Sequence, residues 1–325
     1  MEEKNGILEE KTYFSTMEQK VLPYLTQRRT VLWMEREPGK RLYCLRYLAD
    51  DAAGTVIISH GFTETAEKYQ EVIWYFLRHN YNVYIPEHCG HGNSYRLTED
   101  LSLVHVDSWR RYVSDLLAVA RSAAKEQEGL PLYLFAHSMG GGVAAAALAK
   151  QTKLFKRAVL SSPMIRPLTA GVPWPAARIL ASLLSRLGRA DQYVPGGHAF
   201  DGKETFEDSA STCRVRFEFY QRRRNEEPLY QMNSPSCGWL REAARLNQYL
   251  MRDGWSRIET PLLIVQAEND GFVCNAQQER FAKKVNHNGK TSAKLIHMPG
   301  TKHEIYLSSS QVLERYWGEI FAFLK

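Results

Sequence analysis

The chain alternates short apolar runs with longer stretches in which apolar residues recur every third or fourth position. "GTVIISHG" (54–61) precedes "EVIWYFLRHN", "YNVYIPEH" (81–88) precedes "VDSWRRYVSDLLAVARSAAKE", and "LPLYLFAHS" (130–138) runs into "MGGGVAAAALAKQ". "KRAVLSSP", "TPLLIVQAEND" and "AKLIHMPG" supply three further runs. Near-continuous apolar strands alternating with helical patterns predict an α/β fold, a mostly parallel central sheet with helices on both faces. Two earlier segments, "RRTVLWMERE" and "KRLYCLRYLA", meet at Pro38-Gly39 and predict an antiparallel hairpin at the sheet edge.

The alternation breaks between Ser161 and about Thr260. This region opens with Pro163, Pro167, Pro173 and Pro175. It holds a helix candidate, "AARILASLLSRLG", a charged and aromatic stretch, "CRVRFEFYQRRRNEEPLY", and a second helix candidate, "CGWLREAARLNQYLMRD". No strand run follows until Pro261. The pattern predicts a helical cap, residues 163–255, inserted after the sixth strand of a core made of residues 1–162 and 256–325.

At the fifth strand the chain puts a serine, Ser138, between an apolar run and a run of glycines. "AHSMGG" fits a nucleophile elbow, the sharp strand-to-helix turn that exposes a serine hydroxyl at the top of an α/β-hydrolase sheet. The serine backbone is strained in such a turn, so the residues two positions either side must be small. Ala136 and Gly140 meet that need, and Gly141 and Gly142, poor residues for an ordinary helix, allow close packing on the sheet. A capping serine in a glycine-rich turn is the alternative, and the rest of the chain argues against it.

A serine hydroxyl needs a base, and the base needs an orienting carboxylate. In this fold they follow in the order Ser, Asp or Glu, His, each on a loop after a strand. Asp270 follows "PLLIVQAEN" and His303 follows "AKLIHMPGTK". Glu268 is the other acid in reach, but "GFV" after Asp270 supplies a turn towards a histidine. His297 lies within a strand and reads as packed, His287 lies in a polar loop, and His198 falls in the cap. The oxyanion formed on attack needs preorganised donors. The fold supplies them from the N–H of Met139, after the nucleophile, and that of Phe62 in "SHGFTE", where His60 reads as a brace.

At 325 residues with 44% hydrophobic composition, the chain can bury a large core and does not read as disordered. A formal charge of +6 is mild and reads first as solubility, with anionic surfaces or phosphates as the alternative. Cys44, Cys89, Cys213, Cys237 and Cys274 form no CxxC pair, which suits a reducing compartment. The acidic start "MEEKNGILEEKTYF" lacks an apolar leader, and no run reaches membrane-span length. The expected location is cytoplasmic, with peripheral contact at the inner membrane face through the cap left open. No nucleic-acid partner and no cofactor are expected.

Together the pieces "SHGFTETAEKY", "PEHCGHGNSYR", "AHSMGGG", "LSSPMI", "AENDGFV" and "GTKHEIYL" resemble the monoacylglycerol lipase and bacterial lysophospholipase branch of the α/β-hydrolases, from about residue 54 to the end. The resemblance implies Ser138, Asp270 and His303 as triad, and Phe62 and Met139 as oxyanion donors. It also implies that Glu64 and His137 lie near the polar head of the substrate. Lys68-Tyr69 would anchor the same loop, read as a salt bridge and a buried tyrosine. Glu87 would fix the "GHGNS" loop. The function so implied is hydrolysis of carboxylic esters of single-chain lipids.

The cap bears on substrate. "GVPWPAARILASLLSRLG" pairs an apolar face with Arg178, Arg186 and Arg189. It could lie on an anionic membrane, or bury that face against the core. "QRRRNEEP" (221–228) could meet a phosphate but carries its own acids and reads as a self-paired, solvated face. A general carboxylesterase or a proline-type aminopeptidase on the same fold is the alternative. The aminopeptidase wants acidic cap residues for an amine, which a basic cap disfavours. A non-catalytic ligand-binding protein of this fold commonly lacks a triad member.

Overall fold

Hydrophobic alternation sets the sheet. A computed structural model describes residues 6–325; the first five residues, part of the acidic start read above for a leader, lie outside it. β1 (Arg29–Glu37) and β2 (Lys40–Tyr47) form the edge hairpin, turning at Pro38-Gly39 with Gly39 at φ +74°. β3 (Gly54–Ser59), β4 (Tyr81–Pro86), β5 (Leu132–His137), β6 (Arg157–Ser161), β7 (Leu262–Ala267) and β8 (Ala293–Met298) complete an eight-stranded sheet in the order β1-β2-β4-β3-β5-β6-β7-β8. β2 is antiparallel to β1 and β4; every other pairing is parallel. Every residue of β3, β4, β5 and β7 is buried, because helices cover both sheet faces.

Alternate residues of each strand feed opposite cores. Ile57, Leu134 and Ile264 join one apolar cluster with α2 (Trp109–Glu126) and α3 (Met139–Lys150), the second and third of the labelled helices. Val56, Phe135 and Val265 join the other, with α1 (Gln70–Arg78) and the last helix, α8 (Ser310–Leu324). The N-terminal helical run, Tyr13–Thr16, Met17–Val21 and Leu22–Arg28, covers this second face. The strand-and-helix pattern above does not predict it. Its buried residues Tyr13, Met17, Val21 and Leu25 recur every four positions.

Between β6 and β7 the chain carries α4 (Trp174–Arg186), α5 (Arg214–Glu226) and α6 (Cys237–Arg252), with α7 (Asn275–His287) following β7. The Ser236 side chain caps α6 by accepting the Trp239 N–H at 2.9 Å. Trp239, Ala243, Leu246 and Leu250 of α6 join the cluster of α2 and α3. α5 is pinned to the core by Arg216, whose buried guanidinium holds the Glu71 carboxylate at 3.0 Å and donates to the Leu8 carbonyl. Contrary to expectation, one short strand does precede Pro261: Ser234–Pro235 pairs with Leu103–Val104 outside the main sheet. Two residues are too few to register as an apolar run.

Candidate active site

β3 neighbours β4 on one side and β5 on the other, so the chain changes direction across the sheet at β3/β5. Loops leaving the carboxyl ends of strands beside such a switch point form a crevice. Ser138 lies there, directly after β5, at φ +52° and ψ −122°. That conformation costs a non-glycine residue about 1–3 kcal/mol and is kept only where packing enforces it. Thr63 after β3 and Ser162 after β6 also hold positive φ, so strain gathers around the crevice.

The tight neighbours are explained by distances. A Cβ on Gly140 would lie 2.1 Å from the Ser59 carbonyl oxygen of β3. Added to Gly141 or Gly142, it would meet Pro163 or Met164 at 2.6 and 2.5 Å. These two glycines therefore admit the chain leaving β6, where the expectation was close packing on the sheet itself.

Ser138, His303 and Asp270 are hydrogen-bonded in series. His303 Nε2 is 2.8 Å from Ser138 Oγ, and His303 Nδ1 is 2.7 Å from Asp270 Oδ2. The other carboxylate oxygen, Oδ1, accepts the N–H groups of Phe272 and Val273 at 2.9 and 3.0 Å. Burial works against the Asp270 carboxylate, but the His303 ring and those two N–H groups outweigh it and lower its pKa. An ionised Asp270 can only accept, so Nδ1 carries the proton and Nε2 is left to take one from Ser138. Glu268 is exposed and instead accepts the Gly300 N–H at 2.8 Å. His287 is exposed at the end of α7. His297 is also exposed, contrary to its reading as packed, because β8 is the sheet's edge strand.

Phe62 lines the same cavity as Ser138, and Met139 opens α3, where the first N–H groups have no intrahelical acceptor. His60 ties this loop down: its Nε2 accepts the His88 N–H at 2.9 Å and its Nδ1–H donates to the Gly61 carbonyl at 2.8 Å. Burial lowers the His60 pKa to about 4, so the ring is neutral. Glu87 accepts from the backbone of Ala66 and Asn93, at 3.0 and 2.6 Å, and burial pushes its pKa up to about 7.

Glu64 and His137 both line the cavity, yet both are almost fully buried. Glu64 Oε2 accepts the Gly61 N–H and the Tyr69 hydroxyl, each at 2.5 Å, and Oε1 accepts the Tyr306 hydroxyl at 2.6 Å. Burial opposes its charge, but His137, Lys68 and the two tyrosine hydroxyls hold its carboxyl well below the usual range. Burial lowers the His137 pKa to about 3. Lys68 bridges Glu64, at 3.4 Å, and Glu304. Tyr69 is fully buried. Glu64 thus joins the loop after β3 to the His303 loop through Tyr306.

The cavity at Ser138 has a volume of about 400 Å³ and takes its outer wall from the insertion. Asp201, Lys203, Glu204, Arg224 and His198 line it there, as does Glu304 from the core. The sequence pattern singled out none of these as site residues. The only cue, "QRRRNEEP", reads as self-paired, and the structure corrects that. Arg222, Arg223 and Arg224 pair with Glu18, Glu67 and Glu204, acids far along the chain. A second groove, about 430 Å³, runs under α4 between Leu180, Leu184, Trp239 and Leu240, and none of its lining side chains is charged. Trp239 of the groove packs on Phe62 of the cavity with ring centroids 4.5 Å apart, so this ring pair stands between the two spaces. Among the described residues no helix is long and apolar enough to cross a membrane.

Known proteins share this plan. A family model described as serine aminopeptidase, S33, matches residues 50–309. A probable lysophospholipase L2 of Haemophilus influenzae is 27% identical over 70% of this chain and 71% of its own. A monoacylglycerol lipase of Mycolicibacterium smegmatis is 24% identical over 81% of this chain and 85% of its own. The solved structure of a soluble variant of monoglyceride lipase from Saccharomyces cerevisiae, in complex with a substrate analog, superposes with a TM-score of 0.71 at 18% identity, covering 91% of this chain and 95% of that one. The chain belongs to the serine aminopeptidase S33 family, is similar to a lysophospholipase and a monoacylglycerol lipase, and shares the fold of the monoglyceride lipase structure.

Proposed function

We propose that the protein is a serine hydrolase that cleaves carboxylic esters of single-chain lipids, lysophospholipids or monoacylglycerols, through an acyl-enzyme. The observation that carries this is the Ser138–His303–Asp270 series, 2.8 and 2.7 Å per step, with Ser138 and His303 lining a charged cavity near an uncharged groove. Relatives named for lysophospholipid and monoacylglycerol cleavage support the substrate class.

Ser138 Oγ attacks the ester carbonyl while its proton passes to His303 Nε2, and Asp270 stabilises the resulting imidazolium. The carbonyl oxygen becomes an oxyanion that accepts from the Phe62 and Met139 N–H groups. Collapse breaks the ester C–O bond, and His303 gives its proton to the departing glycerol oxygen. Water then attacks the acyl-serine, gives a proton to His303, and releases the fatty acid as Ser138 recovers that proton. No metal or organic cofactor enters this route. The acyl chain lies in the uncharged groove and the head group in the charged cavity.

Residues 163–255 act as the cap that roofs both spaces, and α4 is its membrane-facing part. Ile179 and Leu183 of α4 and Leu187 directly after it are 63%, 51% and 67% exposed, beside the exposed Arg178, Arg186 and Arg189. An apolar ridge rimmed by cations favours an anionic lipid surface. Such contact places the protein, at a cytoplasmic location, on the inner membrane face.

A serine aminopeptidase is the second reading. The family model's description favours it, and so do Asp201, Glu204 and Glu304, which put acids where a substrate amine would sit. One experiment tests the nucleophile that both readings share, and a second separates them. A fluorophosphonate probe labels the wild type and not Ser138→Ala if Ser138 is the nucleophile; equal labelling of both would remove Ser138 from that role. Hydrolysis of proline p-nitroanilide in preference to a long-chain monoacylglycerol would favour the aminopeptidase and overturn the lipid reading.

A further inference from the structure

α5 has little apolar surface with which to hold its place. Of its buried residues, Arg216, Phe219, Tyr220, Gln221 and Arg224, it is Phe219 that joins an apolar core. That ring packs edge-on against two rings of the N-terminal helical run, Tyr13 at 5.6 Å and Phe14 at 5.3 Å between centroids. Beside it, Glu18 of the same run accepts from the Arg222 guanidinium at 2.6 Å, and that guanidinium lies over Phe14, 5.4 Å from the ring centroid. At 100° per residue, Phe219 and Arg222 stand on the side of α5 opposite Phe217, Tyr220, Gln221 and Arg224, which line the Ser138 cavity. The back of this cavity wall is therefore covered by the N-terminal run.

A buried polar hub makes a second tie between the same two elements. Glu71 of α1 accepts from the Tyr13 hydroxyl at 2.9 Å, from the Tyr75 hydroxyl at 2.6 Å and from Arg216 of α5 at 3.0 Å. The backbone of Leu8 closes the hub. Its N–H donates to the Tyr75 hydroxyl at 3.0 Å, and its carbonyl accepts from Arg216 at 2.7 Å and from the Ser310 hydroxyl of α8 at 2.8 Å. Leu8, Tyr13, Glu71, Tyr75 and Arg216 are all buried. Without the N-terminal run, one arm of a buried guanidinium loses its acceptor, and an unmet donor at such depth is costly. Run and helix thus hold each other in place.

We infer that residues 7–18 are a strap that fixes α5 as a wall of the Ser138 cavity, with Arg216 as the positioning residue that joins strap, α1 and α5. The strap sets where the wall stands, so its role rests on Ser138 as the nucleophile and not on which ester is cleaved. Released from the strap, α5 would depend on ion pairs such as Arg223 with Glu67 and Arg224 with Glu204. Each of these has one partner about a third exposed, and water weakens such pairs. A wall held in that way opens more often, and Tyr220 and Arg224 then leave the cavity with it.

Trypsin tests this on the full chain, because Arg222, Arg223 and Arg224 lie in α5 and a helix must open before it is cut. Two variants loosen the strap. Arg216→Met breaks the hub. Phe14→Ala combined with Glu18→Ala strips the back of α5 and leaves the hub intact, so it decides the matter if the first variant does not fold. Cutting within α5 is expected to run at least about tenfold faster than in the wild type, with cutting elsewhere changed by less than about twofold. KM for p-nitrophenyl butyrate is expected to rise about threefold or more with kcat within about twofold, since a loosened wall weakens binding and leaves the triad assembled. A smaller folded fraction would instead lower kcat and leave KM unchanged. Cutting of α5 at the wild-type rate in the Phe14 and Glu18 variant, acceleration at every site alike, or a loss of kcat with KM unchanged would overturn the inference. No fatty acid release from lipids would overturn the lipid reading and leave both comparisons standing.

Discussion

Ser138 holds a backbone conformation that an L-residue avoids, and its surroundings are cut to size to permit it. That constraint made the residue readable: only small residues fit at 136 and 140, and "AHSMGG" has them. Asp270 was readable for a related reason, because a turn must follow the carboxylate for its second oxygen to be held by backbone N–H groups. Asp270→Asn keeps that shape but removes the acceptor-only oxygen that fixes the His303 tautomer. Its kcat should fall roughly 10³- to 10⁴-fold with KM little changed, measured by steady-state hydrolysis of p-nitrophenyl butyrate. A loss below tenfold would show that Asp270 does not orient the base. Arg224 and Glu204 were not readable, since a charge run says nothing of which member faces inwards. Their partners lie 20 positions apart, and only the fold brings them together.

Among the elements, α4 and α5 part company in how far pattern reveals them. α4 carries apolar residues on more than one face, so the sequence shows a helix but leaves open which face is covered. The structure buries the small residues Ala177 and Ala181 and leaves Ile179, Leu183 and Leu187 outside. α5 has no apolar stripe to read: its buried members include Arg216, Gln221 and Arg224, held by ion pairs and hydrogen bonds instead of by hydrophobic contact. The exposed ridge of α4 has a direct consequence. Ile179→Ser together with Leu187→Ser should lower binding to anionic phospholipid vesicles about tenfold or more, from two large side chains at about 1.5–3 kcal/mol each when fully buried. Co-sedimentation measures it, and unchanged binding would mean that α4 does not meet lipid.

Across the whole molecule, the parallel sheet was legible because burial on both faces writes itself as unbroken apolar runs. The N-terminal helical run is not legible in the same way, because its buried residues are four apart and diluted by charge. The same burial sets the response to acid. His60, His88, His91 and His137 are all buried, and burial depresses the pKa of each, to about 4 for His60 and about 3 for His137. As pH falls below the ordinary value near 6.5, the unfolded chain takes up protons that the folded one refuses. Each ring then removes up to about 1.4 kcal/mol of stability per pH unit until its folded pKa is reached. Glu87, raised to about 7, works the other way between pH 7 and about 4.5, and so do Asp115 and Glu304, also raised by burial. His79 and His105 are depressed as well, so among the described residues these histidines outnumber the carboxyls six to three. Calorimetry should find Tm nearly level from pH 8 to 7 and falling between pH 6.5 and 5. A Tm that rises on acidification would contradict the neutral-histidine account. The central claim is that Ser138 releases fatty acid from single-chain lipids, and it is tested most directly by titrating fatty acid freed from lysophospholipid and monoacylglycerol by wild type and Ser138→Ala. Release by the wild type alone is the predicted result. No release by either, or equal release by both, would contradict it.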